Sequence, residues 1–171
     1  MTQPLNQNQK QVKPVRFFLE NGVYTHTMTY SALYSIKRNK FVNARCHKGS
    51  RWGCDYLLYP GTYVLFDISG YRDERGLEFV IKKVKIEDDG NGYGMVSDVE
   101  NIVDTEVTLD ELLKMIEDPN VPQALRLFIQ AIPTVYHTVG NVPDPTVTFS
   151  DDEIKKVKEY LEAYVRSKAE E

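Results

Sequence analysis

Two runs of strand-forming residues, TYVLFDIS from Thr62 to Ser69 and LEFVIKKVKI from Leu77 to Ile86, constrain this chain more than any other feature. Each is rich in β-branched and aromatic residues, and the charged loop YRDERG between them starts after Gly70 and ends on Gly76, so they read as neighbouring strands. Pro60-Gly61 marks the turn before the first run, and the Gly- and Asp-rich segment EDDGNGYG, Glu87 to Gly94, marks the turn after the second. Met95 to Val103 is a weaker last strand. In LEFVIKKVKI the pair Phe79 and Ile81 and the pair Val84 and Ile86 alternate on opposite phases around Lys82-Lys83, where a β-bulge is expected. Upstream, Val15 to Leu19 and the alternating Val23 to Tyr30 flank Asn21-Gly22, a dipeptide typical of a tight hairpin. SALYSI, Ser31 to Ile36, fits a helical turn or a continuing strand; Lys40 to Cys46 has the pattern of a half-buried strand, and His47 to Gly53 reads as a loop. Five or six strands therefore stand in a row.

After Val103 the apolar period changes from two to 3.6. Thr108 and Glu111 have capping-box spacing, and Leu109, Leu112, Leu113 and Ile116 share one helical face. Pro119 stops that helix, Pro122 suits the first turn of a second, presenting Leu125, Phe128, Ile129 and Ile132, and Pro133 ends it. Thr134 to Phe149 reads as irregular, with TVYHTV as a brief strand. Ser150 and Glu153 predict a further capping box, opening a helix through Lys168 with an apolar stripe of Ile154, Val157, Tyr160, Leu161, Tyr164 and Val165. Strands followed by helices predict an α+β fold: a barrel-like β-block over residues 15–104, and a helical segment over 105–171 packed on it, the last helix lying on the barrel or on a second subunit of a homodimer. Residues 1–14 are polar, rich in Gln and Asn, and read as a disordered tail. At 171 residues the chain can bury a core without staples.

The chemistry concentrates between Tyr34 and Tyr59, YSIKRNKFVNARCHKGSRWGCDYLLY. Lys37, Arg38, Lys40, Arg45, Lys48 and Arg51 stand there against Asp55 alone, with Phe41, Trp52, Tyr56 and Tyr59 among them, in a chain whose net charge is -4. Such a surplus predicts a basic face balanced by an acidic one. A basic face with aromatics suits RNA or single-stranded nucleic acid: Lys37, Arg38, Lys40, Arg45, Lys48 and Arg51 against phosphates, Trp52, Tyr56 or Phe41 stacking a base. The plainer alternative is a solvated basic strand whose aromatics face the core. The acidic segments, Asp73, Glu74, Glu87 to Asp89 and Asp98 to Glu111, suggest the rival reading: a module that engages a basic protein partner.

Other constellations point less far. Cys46, His47 and Cys54 offer zinc-compatible ligands at a spacing that matches no common knuckle, so buried thiols without metal are expected, and no cofactor. The segment Asp89 to Glu100 places oxygen donors near EF-hand positions, but its flanks are strand-like and a hairpin turn is expected instead. His26 and His137 each adjoin threonines without a recognisable nucleophile elbow, which favours a non-catalytic protein. No apolar run reaches the roughly 20 residues of a membrane span, there is no hydrophobic signal region, and two cysteines form no disulfide framework. A reducing, cytoplasmic setting is the expectation.

Arg38, Lys40, Asn43 and Arg45 fall at the spacing of a G-x-K-x-x-E-x-R signature, and Tyr59 to Phe66, YPGTYVLF, matches the strand that follows it. On these residues, and on TLDELL after the strands, the middle of the chain from Tyr30 to about Met115 resembles the ASCH branch of the PUA-like β-barrel superfamily. The resemblance implies an RNA- or nucleoside-associated barrel. Arg38 replaces the glycine and Asn43 the glutamate, and without the glutamate it implies binding rather than nucleoside hydrolysis.

Overall fold

The computed structural model describes residues 12–49, 51–134 and 136–170. Residues 1–11 of the expected tail lie outside the described residues, and Val12 to Pro14 carry no regular structure. Among the described residues nine strands precede three helices: β1 (Val15–Glu20), β2 (Gly22–Val23), β3 (Thr27–Ser35), β4 (Lys40–Phe41), β5 (Ala44–His47), β6 (Gly53–Leu58), β7 (Gly61–Tyr71), β8 (Leu77–Asp88), β9 (Gly94–Val107), α1 (Leu109–Met115), α2 (Gln123–Gln130) and α3 (Glu153–Ala169). The α+β expectation holds. The expected barrel does not: the strands form two open antiparallel sheets, a large one ordered β2-β3-β7-β8-β9 with β4 beside β3, and a small one ordered β1-β6-β5.

The large sheet is the middle layer. On one face Tyr30, Ala32, Tyr34, Val64, Phe66, Ile68, Phe79 and Ile81 pack against Leu112, Leu125, Phe128, Val157 and Leu161 of the helices. On the other face Leu33, Tyr63, Val84 and Ile86 meet Val15, Cys54, Tyr56 and Leu58 of the small sheet. This explains the phase change in LEFVIKKVKI. β8 is buried by helices over its first half and by the small sheet over its second, so the buried face switches while the strand runs on. The register shifts instead reside in β9, where Ile102 and Ser97 are the residues left without partners opposite β8.

Asn21-Gly22 is not a hairpin turn. β1 leaves to pair with β6, Val15 opposite Leu58 and Glu20 opposite Gly53, and the hairpin lies one step later, where Tyr24 N–H donates to the Thr27 carbonyl at 2.8 Å between β2 and β3. Asn21, fully buried, is the corner between the sheets: its Oδ1 accepts from Ser31 N–H at 2.8 Å, and its Nδ2 donates to the Ser31 carbonyl at 3.3 Å and lies 3.3 Å from Cys54 Sγ. A short amide thus substitutes for the ladder bonds that a strand switching sheets gives up.

SALYSI is strand through Ser35, and Lys40 to Cys46 divides between two sheets as β4 and β5. The capping box of α1 forms as expected, with Glu111 N–H donating to Thr108 Oγ1 at 3.1 Å and Thr108 N–H to Glu111 Oε1 at 2.9 Å. The one expected at α3 does not. Asp152 stands at that N-cap with no side-chain bond, and the buried Glu153 carboxylate turns to accept from Ala124 N–H of α2 at 3.0 Å. Pro122 at the N-cap of α2 has no side-chain acceptor of its own, so the neighbouring helix supplies one. TVYHTV forms no strand among its described residues; Thr134 and His137 close a tight turn on each other. No helix is long and apolar enough to cross a membrane among the described residues.

Candidate functional site

The small sheet buries alternate residues and presents the rest. In β1, Val15, Phe17 and Leu19 face the large sheet and Arg16, Phe18 and Glu20 face outward; in β6, Cys54, Tyr56 and Leu58 are inside and Asp55 and Leu57 outside; in β5, Ala44 and Cys46 are inside and Arg45 and His47 outside. The outer face is therefore a cross-strand array in which Arg16 stands opposite Leu57, and Phe18 and Arg45 flank Asp55. Gly53 shapes its loop end. A Cβ there would lie 2.5 Å from Phe18 Cζ and would also strike the Leu19 carbonyl oxygen, so the Phe18 ring occupies the space a side chain would fill. The His47 ring lies 6.1 Å from Phe18, and the Arg51 guanidinium sits 4.0 Å above the ring. His47 Nε2 is 2.8 Å from Asp55 Oδ2, which fixes the imidazole over the sheet.

The basic stretch is split by this architecture. Arg45 stands on the outer face, and Lys48 and Arg51 at the loop end of the β5–β6 hairpin. Lys37, Arg38 and Lys40 gather at the opposite end, roughly 20 Å away along a six-residue strand. There the turn after β3, closed by Asn39 in the left-handed region at φ 54, meets the Tyr59–Thr62 turn between β6 and β7. Together they wall a pocket of about 300 Å³ whose lining includes Lys37, Arg38, Lys40, Tyr59, Tyr63 and Pro145. Phe41, Val42, Leu57 and Leu58 add apolar surface, and among the described residues no carboxylate lines it. Burial pushes the Tyr63 phenol up, and the charge of Arg38 partly offsets this. Tyr63 Oη donates to the Tyr59 carbonyl at 2.6 Å, and Arg38 N–H to Ser35 Oγ at 3.2 Å, so both turns are held from within. Among the described residues none of Lys37, Arg38, Lys40, Arg45, Lys48 and Arg51 has a carboxylate within 4.0 Å.

Three expected stacking residues are placed elsewhere. Phe41 is fully buried in the core between the large sheet and the helices, and Tyr56 is buried between the sheets at 2% exposure, because inward positions of β6 carry the core. Trp52 stacks on Tyr24 at 5.7 Å, its ring packed against Gly22, so it closes the end of the small sheet. Cys46 and Cys54 face each other across β5 and β6 with Cα atoms 4.0 Å apart and are joined as a disulfide, in place of the free thiols expected. The segment Asp89 to Glu100 is the β8–β9 turn followed by strand, where Asp88 Oδ1 accepts from Gly90 and Gly92 N–H and Asp89 Oδ1 from Asn91 and Tyr93 N–H. Arg16 and Phe18 join the face without having been expected there. The alternation in VRFFLE puts both on one side of the strand, but the apolar Phe17-Phe18-Leu19 run hides it.

Further acidic groups line β9. β9 is an edge strand carrying Asp98, Glu100, Asp104 and Glu106, and exposing Met95, Val96 and Val99.

Comparison with known protein families finds no match. The chain is 25% identical over 146 residues, 84% of its length and 89% of the other's, to the uncharacterised protein ORF157 of Acidianus filamentous virus 1 (isolate United States/Yellowstone). The solved structure of that ORF157 aligns with a TM-score of 0.74 at 22% identity, covering 88% of this chain and 99% of that one. A crystal structure of an engineered protein, OR43, aligns equally well, TM-score 0.74 at 22% identity over 90% and 99% of the two chains. The likeness extends over nearly the whole architecture and is a likeness of fold. No member of the superfamily suggested by the Arg38 to Arg45 spacing appears among these relatives, and two open sheets are not the closed barrel that resemblance implied.

Proposed function

We propose that the chain is a non-catalytic, single-stranded nucleic-acid-binding protein, with the outer face of the small sheet as its platform. The observation that carries this reading is the set of cations Arg16, Arg45, Lys48 and Arg51, none with a carboxylate within 4.0 Å among the described residues, around the half-buried Phe18 ring that packs over Gly53. Cations spread over a sheet face track a phosphate backbone, and the half-buried Phe18 ring gives a base a π-face to stack on once the Arg51 guanidinium that covers it in this structure turns to a phosphate. An RNA loop or single-stranded DNA can splay its bases onto such a face, whereas a paired duplex hides them. The pocket cations Lys37, Arg38 and Lys40 extend the same track to the far end of the sheet.

Fluorescence anisotropy with labelled single strands and duplex tests this. Arg16→Ala, Arg45→Ala and Arg51→Ala are each expected to weaken single-strand binding whatever the sequence, and to reduce the salt slope by about 0.7 for each phosphate that is no longer neutralised. Phe18→Ala is expected to cost about 1–3 kcal/mol of binding at an unchanged salt slope. Failure of the wild-type protein to bind single strands at low salt sinks the proposal.

One observation supports a second reading, an acidic protein-interaction module: the open edge of β9, with its acids and exposed Met95, Val96 and Val99. Pairing two copies along it would set like charges opposite one another, which is destabilising. A basic extended segment of another protein fits better. A basic peptide that binds the wild-type chain but not an Asp98→Lys, Glu100→Lys variant is the outcome this reading requires.

A further inference from the structure

The pocket between the two turns differs from the open sheet face in a way that specifies a ligand. Three cations, Lys37, Arg38 and Lys40, contribute to the lining of about 300 Å³ with no carboxylate among the lining residues. Along the open face cations are spread out and Asp55 lies between Phe18 and Arg45. A backbone phosphodiester carries a single charge; a terminal phosphate carries about -1.5 to -2 at neutral pH and three acceptor oxygens. Concentrated positive charge in a recess with an apolar floor favours the latter, because each added charge on the ligand is matched by a donor already in place. The walls also suit the rest of a nucleotide: Tyr59, half exposed, and Pro145 offer flat apolar surfaces beside the cations.

We propose that this pocket binds the phosphorylated end of a nucleic-acid strand, a terminal nucleotide with its phosphomonoester held by Lys37, Arg38 and Lys40. The inference rests on the single-strand platform proposed above and adds a polarity to it: the strand end is seated at the Lys37–Lys40 turn, and the chain then runs along β6 toward Phe18 and Arg51. The lining carries the further donors that a nucleotide uses, Asn43 and Thr62, both exposed at the rim. Asn39 sets the turn. Its left-handed φ of 54 bends the backbone so that Lys37 and Arg38 stand at the tip while Lys40 re-enters the sheet.

The test compares four thymidylate ligands on the full-length protein: a short linear strand with a 5′-phosphate, the same strand with a 3′-phosphate, the same strand with hydroxyl ends, and a circular strand. Hydrogen bonds to a charged group contribute about 1.5–3 kcal/mol, so one phosphorylated strand is expected to bind at least about tenfold tighter than the hydroxyl-ended one, and which end does so reads the polarity. Arg38→Ala and Lys40→Ala are expected to remove that preference, while Arg45→Ala weakens the linear ligands in proportion and leaves the preference intact. Thermal melting of each variant keeps a folding defect from passing as a binding one, and thymidine 5′-monophosphate against thymidine reads the pocket without the platform. Equal binding of phosphorylated and hydroxyl-ended strands, with the circle still bound, overturns the end pocket and leaves the platform standing. No binding of any strand overturns both. A preference that survives Arg38→Ala and Lys40→Ala places the end elsewhere and overturns the pocket.

Discussion

Gly53 shows how much one missing side chain can decide. Its position puts a Cβ 2.5 Å from Phe18 Cζ, so Gly53→Ala is expected to push the ring off the sheet, costing about 1–3 kcal/mol of stability as overpacking does. A urea titration measures the loss, and a variant as stable as the wild type would show that the ring is not held there. Tyrosines act at the same scale. Tyr160 is pushed up to about 12, by burial first and then by the Asp118 carboxylate that accepts from its hydroxyl at 2.9 Å. Burial, with the charges of Glu153 and Asp151 behind it, raises Tyr34 to about 12 as well. A phenol whose folded value lies above its unfolded value of about 10 stabilises the fold fully below that value and ceases to do so as pH rises through 12. Stability is expected to fall between about pH 10 and pH 12, and Tyr160→Phe should make that decline shallower. Equal slopes for variant and wild type in urea midpoints across this range would remove Tyr160 from the account.

At the scale of elements, α3 is held by few side chains of high value. Val157 and Leu161 are fully buried, and three bonds from its outward flank reach α1 and the turn after it: Tyr160 to Asp118, Tyr164 to Glu111, and Lys168 to Glu111 at 3.0 Å. Burial acts against the charged Glu111, yet the Thr108 backbone N–H and Lys168 hold its carboxyl below the usual range. Leu161→Ala is expected to cost about 2–5 kcal/mol, and Glu153→Ala about 0.5–2 kcal/mol through the cap it removes from α2 rather than from α3. Weaker amide protection in α2 on the Glu153 change distinguishes the two helices. The β5–β6 hairpin depends on its disulfide. Closing so short a loop in the unfolded chain is worth about 2–3 kcal/mol, so the double variant Cys46→Ser, Cys54→Ser is expected to melt lower in a manner that dithiothreitol reproduces in the wild type. If neither treatment moves the melting temperature, the bond contributes nothing.

The whole molecule is three layers sharing one sheet. β3, β7 and β8 each contribute side chains to both interfaces, Leu33, Tyr63 and Val84 to one and Tyr34, Val64 and Phe79 to the other. Neither outer layer has a core without the middle one, so both are expected to unfold together. Trp52, the single tryptophan, reports on the small sheet, and far-ultraviolet circular dichroism on the helices. Coincident urea transitions from the two probes are the expected result; an earlier Trp52 transition would mean that the small sheet melts alone. Lys37, Arg38, Lys40, Arg45, Lys48 and Arg51 lie on the small sheet or near its two ends, and Asp98, Glu100, Asp104 and Glu106 along the β9 edge, while further cations stand on β8 and α3. A chain of net charge -4 thus carries a local surplus of cations at the small sheet.

The sequence by itself determined the order of strands before helices, the capping box of α1, the turns at Pro60-Gly61 and Glu87 to Gly94, and the basic character of Lys37 to Arg51. These are local: each depends on residues a few positions apart. What the tertiary structure decided is every matter of partnership. Asn21-Gly22 has the composition of a hairpin turn, but Asn21 bonds to Ser31 and approaches Cys54, and the strand before it joins another sheet. Glu153 has capping-box spacing, but a bare Pro122 at the head of α2 claims its carboxylate. Tyr56 and Trp52 look alike in a basic stretch, and only the packing of the small sheet on the large one buries the first, stacks the second on Tyr24, and leaves Phe18 outside. Which face of a strand is covered depends on what lies against it. That surface comes from residues far away in the chain, which local spacing does not encode.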